Sequence, residues 1–179
     1  MTVLRPAIFL FLLLNFPILH AETLTGRVVR ITDGDTIVVL DADKVQHKIR
    51  LQGIDAPERR QAFGTKSKEH LSDLVAGKTV EVDYSKYDRY GRVLGKVIVI
   101  GEDVNLEQVE AGMAWHYMKY QGEQSFSDRI EYSDAEREAR KQKLGLWHDP
   151  HPVPPWDYRQ AERDQRKSME PFVGKSTVW

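Results

Sequence analysis

The sequence predicts an α+β fold that is mainly β, with five short strands forming a small Greek-key barrel accompanied by three helices. Three observations carry this expectation. Apolar and β-branched residues alternate over several short runs bounded by turn residues. A helical period interrupts these runs once, after the third, and returns after the fifth. The chain has 179 residues, 41% hydrophobic and 30% charged, which suits one body with short extensions and excludes disorder throughout.

Residues 24–31 read as a first strand, Asp33-Gly34 as a turn, and Thr36–Leu40 as a second strand, so that 24–40 forms a hairpin. After a turn at Asp41–Lys44, residues His47–Ile54 alternate as a third strand. Ile49 and Leu51 fall on one face and Lys48, Arg50 and Gln52 on the other, which aims Arg50 away from the core. Phe63, Ser67, Leu71, Leu74 and Val75 then recur at helical spacing, and Gly77 supplies a stop. Thr79–Tyr84 and Arg92–Ile100 are the fourth and fifth strands, joined by a polar loop at 86–91. A short helix is expected over Asn105–Ala111, with Asn105 as its cap and Gln108 three residues on. A longer, charged helix runs over Ser127–Lys143, with Tyr132, Ala135 and Ala139 on one stripe. This order suits the partly open oligonucleotide-binding (OB) barrel, in which one strand face and its loops form the ligand surface. An open α+β sheet has the same periodicity and stays as the alternative.

The two ends differ in texture. Arg5 precedes an apolar run from Ala7 to Leu19, broken by Asn15 and Pro17, and His20-Ala21 follows. A basic flank, a short apolar stretch and a small residue describe a secretory signal peptide over 1–21, with cleavage after Ala21 and a secreted or periplasmic location. The run is too short and broken for a comfortable membrane span, so no stable membrane association is expected after cleavage. Residues 22–148 form the expected domain, and 149–179 a proline-led extension in which Trp156 docks back on the body and 158–169 has helical character. The net charge of −1 argues against a general nucleic-acid coat but leaves room for a local cationic cleft. With no cysteine, disulfides and thiol catalysis are excluded.

The chemistry concentrates between Asp33 and Glu58, where Asp35, Asp55 and Glu58 alternate with Arg50. A hard cation such as Ca²⁺ wants oxygen ligands, and a phosphate wants the fork of an arginine. A spare carboxylate can activate water. Each piece alone has a plainer reading: an Asp-Gly turn, a proline-terminated strand, a surface arginine. In a meander, however, the end of the first hairpin and the end of the third strand can lie side by side, so that Asp35 and Asp55 share a cation. Arg92 offers a second phosphate clamp opposite Arg50, with Arg89 and Tyr90 touching a neighbouring nucleotide. Tyr117 and Tyr120, beside Trp115, can stack on bases or serve as rim aromatics. His148 and His151 have metal-like spacing but no third ligand.

The linked set Asp33-Gly-Asp-Thr36, Arg50-Leu-Gln-Gly-Ile-Asp-Ala-Pro-Glu58, Asp88-Arg-Tyr-Gly-Arg92 and Leu144-Gly-Leu-Trp147 resembles the staphylococcal-nuclease-like (thermonuclease) family in order and spacing. The resemblance covers roughly Thr23 to Trp147. It implies a five-stranded OB barrel with three helices and a Ca²⁺-dependent nuclease that cuts DNA and RNA to leave 3′-phosphate ends. Asp35, Asp55 and the Ala56 carbonyl would then hold Ca²⁺, with threonine often standing in the family where Ala56 stands here. Glu58 would be the general base, and Arg50 and Arg92 would grip the scissile phosphate. Arg89, where lysine is usual, would contact a terminal phosphate, and Asp33 would support the ligands from behind. A monomer is expected. Two rivals remain: a non-catalytic OB module that binds nucleic acid, and a domain in which a cation merely clips loops together.

Overall fold

Residues 22–169 are described by the computed structural model; residues 1–21, over which a signal peptide is expected, and residues 170–179 lie outside the described residues. The elements follow as β1 (Glu22–Asp33), β2 (Thr36–Leu40), β3 (Gln46–Leu51), β4 (Ile54–Asp55), α1 (Gly64–Val75), β5 (Thr79–Tyr87), β6 (Val93–Val99), β7 (Glu102–Asp103), α2 (Val104–Glu110), β8 (Trp115–His116), α3 (Phe126–Gln142) and α4 (Pro155–Met169). The sheet runs β3-β2-β1-β5-β6-β7, and β3 also pairs with β6 in parallel, Arg50 opposite Leu94. That pairing closes a five-stranded mixed barrel, so the open-sheet alternative falls and the barrel is more complete than the partly open form expected. Irregularities in the β1–β2 register, between Val28 and Arg30 and between Ile31 and Asp33, give β1 the bends that closure requires.

The alternation read in the sequence is the alternation that builds the core. Ile37, Val39, Ile49, Leu51, Val80, Val82, Val93 and Val97 point inward and are buried. Leu71 and Val75 of α1 and Val109 of α2 close the barrel over them. The predicted third strand splits in two. Gly53 takes a left-handed φ of 77°, a conformation that favours glycine, and turns the chain after Leu51. Ile54 and Asp55 pair instead with His116 and Trp115.

The expected cap of the short helix is also displaced. Asp103 accepts hydrogen bonds from the N–H groups of Asn105 (2.9 Å) and Leu106 (3.1 Å). Asn105 is fully buried within α2 and ties strands together instead. It donates to the carbonyls of Gln52 (3.0 Å) and Gly95 (3.1 Å) and accepts from Val97 N–H (3.1 Å). Gln108, expected to complete the cap, donates to the carbonyls of Gly34 (2.6 Å) and Ser67 (3.2 Å). It therefore fixes the Asp33–Asp35 turn against α1. On the long helix the cap is Ser125, whose hydroxyl accepts from Asp128 N–H at 3.1 Å.

The proline run leads into helix α4, which carries the helical character expected over 158–169 and starts three residues earlier. Proline suits the first helical position, and the Pro154 carbonyl accepts from Asp157 and Tyr158 N–H. Trp156 docks as expected, edge-on to Trp115 (5.6 Å) and stacked on Tyr117 (5.2 Å, 5° between planes). Gln61 holds the linker through the Val153 carbonyl. Among the described residues, no helix is long and apolar enough to cross a membrane.

Candidate active site

Strand register places the charged residues. Arg50 sits opposite Thr36 in β3, between the buried Ile49 and Leu51, so its side chain leaves the barrel on the side of the β1–β2 turn. The turn itself is pressed against the 55–58 loop. A Cβ on Gly34 would lie 1.9 Å from Ser67 Oγ and 2.9 Å from Ala56 Cβ, an approach that only glycine allows. Asp35 Oδ2 accepts from Ala56 N–H at 2.9 Å, and Asp35 Oδ1 accepts from the Thr36 hydroxyl at 2.9 Å. The side-by-side arrangement expected of Asp35 and Asp55 is therefore present.

Arg50 bridges the two carboxylates, at 2.5 Å from Asp35 Oδ2 and 2.8 Å from Asp55 Oδ1. Asp55 is fully buried. A second guanidinium reaches it from α4: Arg159 donates to Asp55 Oδ2 at 2.7 Å, to Asp55 Oδ1 at 3.2 Å and to Glu58 Oε1 at 2.8 Å. Glu58, at the end of the Pro57 turn, has its N–H held by Gln61 Oε1 at 3.1 Å. Arg92 faces the same cleft from the start of β6. Asp88 anchors it, accepting from its Nε at 2.7 Å and from the N–H groups of Arg92 and Tyr90. A cavity of about 590 Å³ is lined by all of these charged residues.

The aromatic residues divide. Tyr90 and Tyr120 are exposed, and Arg89 lies over the Tyr90 ring at 4.8 Å. Tyr117 lines the cleft, but Trp156 covers one of its faces and Tyr120 meets it edge-on at 5.0 Å. The His148/His151 pair brings no third ligand. Among the described residues, no three His, Asp or Glu side chains form a ready metal cage.

Electrostatics bears on a cation. Burial, and then the neighbouring charge of Asp35, push Asp33 up to about 7. Burial also raises Asp55, against the pull of Arg159 and Arg50. Burial works against the charge on Arg159, but Asp55 and Glu58 outweigh it and hold that guanidinium above its ordinary value. On Asp88, the Arg92 backbone N–H and guanidinium outweigh burial and hold the carboxyl below its ordinary range. Asp35, Asp55 and Glu58 thus converge on two guanidiniums, Arg50 and Arg159, three carboxyl groups against two cations, while Asp33 stands behind Asp35 and accepts from its N–H. Such a set fits a hard dication, which takes six to eight oxygens and accepts water for those the protein does not supply.

Asp33 gives a pH prediction. Its carboxyl holds a proton up to about pH 7 in the fold, but only to about pH 4 in the unfolded chain. Stability therefore falls as pH rises through that window and stays reduced above it. Asp33→Asn, measured in chelator, is expected to show a higher Tm than the parent at pH 8 and the same Tm near pH 4. A gap that does not change with pH would remove Asp33 as the titrating group.

The family model described as staphylococcal nuclease homologue matches residues 48–149. The chain belongs to the staphylococcal nuclease family. It is 48% identical over 146 residues to a protein of Escherichia coli named "Uncharacterized endonuclease", covering 81% of this chain and 90% of that one. It is 43% identical over 162 residues to a Haemophilus influenzae protein of the same name, at 89% and 88% coverage. To the "Micrococcal nuclease" of Shigella flexneri it is 42% identical over 148 residues, at 78% and 82% coverage. Membership of this family makes the chain a metal-dependent nuclease with nucleic acid as its substrate.

Sequence reasoning did not find Arg159. Its signal was nonetheless there, since Trp156, Arg159 and Arg163 recur at i, i+3 and i+7 directly after the proline run.

Proposed function

We propose that this nuclease is secreted or periplasmic, depends on Ca²⁺, and hydrolyses DNA and RNA with low sequence specificity to leave 3′-phosphate ends. The observation that carries the reading is the convergence of Asp35, Asp55 and Glu58 with Arg50 and Arg92 on one cleft. Asp35 and Asp55 would hold the cation together with the Ala56 carbonyl, and Asp33 would stand behind them. When bound there, Ca²⁺ supplies positive charge beside the scissile phosphate. Arg50 and Arg92 grip that phosphate and stabilise the negative charge that grows on its oxygens in the transition state. Glu58 takes the proton of the attacking water as its oxygen bonds to phosphorus. The bond from phosphorus to the 5′-oxygen breaks, that oxygen leaves and takes a proton from solvent, and the phosphate stays on the 3′ end.

Low specificity follows from the donors available. Guanidiniums read phosphates, which carry no sequence information, and Arg89, Tyr90 and Tyr120 offer charge and ring faces that any base accepts, with Tyr117 at the rim beside Tyr120. The leader pattern of residues 1–21 supports export.

The test is cleavage of a labelled single-stranded DNA and of an RNA of equal length, in Ca²⁺ against excess chelator. Asp35→Ala is run alongside, and the product ends are analysed for 3′-phosphate. Cutting of both polymers in Ca²⁺ is expected, with about a hundredfold or greater loss in the variant, the scale of removing one electrostatic element of an active site. Full activity in chelator, or an unimpaired Asp35→Ala, would overturn the Ca²⁺ site.

A further inference from the structure

Helix α4 approaches the cleft at its most sensitive point. Arg159 donates to Asp55 and Glu58, the carboxylates placed above at the cation and at the attacking water. Anchoring the helix does not require this. Trp156, held between Trp115 and Tyr117, already fixes the start of α4, and Gln61 fixes the linker before it. The guanidinium is also two-thirds buried, at 32% side-chain exposure, a cost that a plain surface clasp would avoid.

The rest of the helix continues the theme. Arg159, Arg163 and Lys167 are spaced four residues apart, and Arg166 falls between the last two on the same face as Trp156. Four residues of α-helix advance about 6 Å, so three cations stand in a row leading away from the carboxylates. Asp157 falls on the side away from this stripe, and Glu162 and Asp164 border it, one turn from Arg159 and from Lys167. Arg163 lines the cleft together with Arg159, and Arg166 and Lys167 are exposed beyond it. Lys86, Arg89 and Arg92 line the same cleft.

We propose that α4 is a phosphate rail, one wall of the nucleic-acid cleft. In it Arg159 binds the phosphate undergoing hydrolysis or the one next to it, and Arg163 and Lys167 track the backbone of the single strand as it leaves. The inference rests on the nuclease reading of the same site. A guanidinium fork fits carboxylate and phosphate alike. Arg159 thus needs only to exchange the oxygens of Asp55 and Glu58 for those of a phosphate lying beside them. With Trp156 on one face of Tyr117, base stacking on this side of the cleft falls to Tyr120, and the helix contributes charge.

The experiment measures equilibrium binding of a labelled single-stranded DNA to the full chain carrying Glu58→Gln, in Ca²⁺, over a fourfold range of salt. Arg159→Gln and Arg163→Gln are each added to that background, with Arg137→Gln on the outer face of α3 as control. Each lost phosphate contact is expected to reduce the salt slope by about 0.7, a change of about 2.6-fold in affinity over that range. Arg137→Gln is expected to leave the slope unchanged. Arg163 is exposed, so its variant reads the rail even if Arg159→Gln disturbs folding. Unchanged slopes in both variants, or tighter binding in Arg159→Gln, would overturn the rail and leave Arg159 as a filler of the carboxylate site. Cleavage by the parent chain is scored separately. A parent that cuts while the slopes stay put defeats the rail alone. A parent that fails to cut in any divalent ion defeats the Ca²⁺-dependent reading, and the slopes still decide the rail.

Discussion

Glutamine in place of Glu58 is expected to lower kcat by about two to four orders of magnitude, the usual share of a positioned general base, and to leave single-strand binding intact. The substitution keeps the shape of the side chain and an oxygen for Arg159, and removes only basicity. The local backbone does not depend on the carboxylate. Pro57 sets the turn, Gln61 holds the Glu58 N–H, and Gly64 leaves room for the Glu58 carbonyl, which a Cβ there would meet at 2.0 Å. The ion pair with Arg159 is partly solvated, at 39% exposure on the glutamate side, and pairs of that kind contribute about 0–1 kcal/mol. Tm should therefore move little. Single-turnover cleavage and equilibrium binding of the same strand separate the two effects. An unimpaired rate would remove Glu58 from water activation. A rate loss matched by an equal loss of binding would make it a substrate contact instead.

The barrel was legible because it is built from alternation. The apolar faces of β3, β5 and β6 repeat every second residue and bury Ile49, Leu51, Val80, Val82, Val93 and Val97, while β2 is a short apolar run buried on both faces. What periodicity could not supply was closure. Whether β3 meets β6 depends on the bends in β1, and those arise from register shifts invisible in a pattern of apolar and polar residues. The cap of α2 was misassigned for a related reason. Asparagine caps helices well, but the interior holds the Gln52 and Gly95 carbonyls and the Val97 N–H, and Asn105 satisfies all three once buried. An unsatisfied buried group costs more than a cap bond returns, so the core claims Asn105 and Asp103 takes the cap.

In the site, the grouping of Asp35, Asp55, Glu58 and Arg50 follows from one meander, because all four lie within 24 residues that fold back once. Arg159 lies a hundred residues further on. Its place depends on where Trp156 docks, and that depends on the Trp115–Trp147 cluster assembled from other elements. Spacing within α4 could reveal a basic face but not what that face meets.

Alanine in place of Arg50 is expected to act in two directions at once. In chelator it should destabilise the fold by about 3–5 kcal/mol, the cost of breaking a buried ion pair by removing one partner. Here Asp35 loses its guanidinium outright, at 9% exposure, while Asp55 keeps only Arg159. Adding Ca²⁺ should restore much of that stability, because an ion that binds the fold and not the unfolded chain stabilises it in proportion to occupancy. Ca²⁺ should also bind the variant more tightly than the parent, since a competing positive charge has left both carboxylates. Activity should move the opposite way. At saturating Ca²⁺, kcat/KM is expected to fall by about two to three orders of magnitude, as when one donor to a developing oxyanion is removed. Thermal unfolding with and without the ion, calorimetric titration of Ca²⁺ and cleavage kinetics together read all three. If saturating Ca²⁺ restores activity along with stability, Arg50 serves only to neutralise Asp35 and Asp55. If stability returns and activity does not, the guanidinium acts on the phosphate itself.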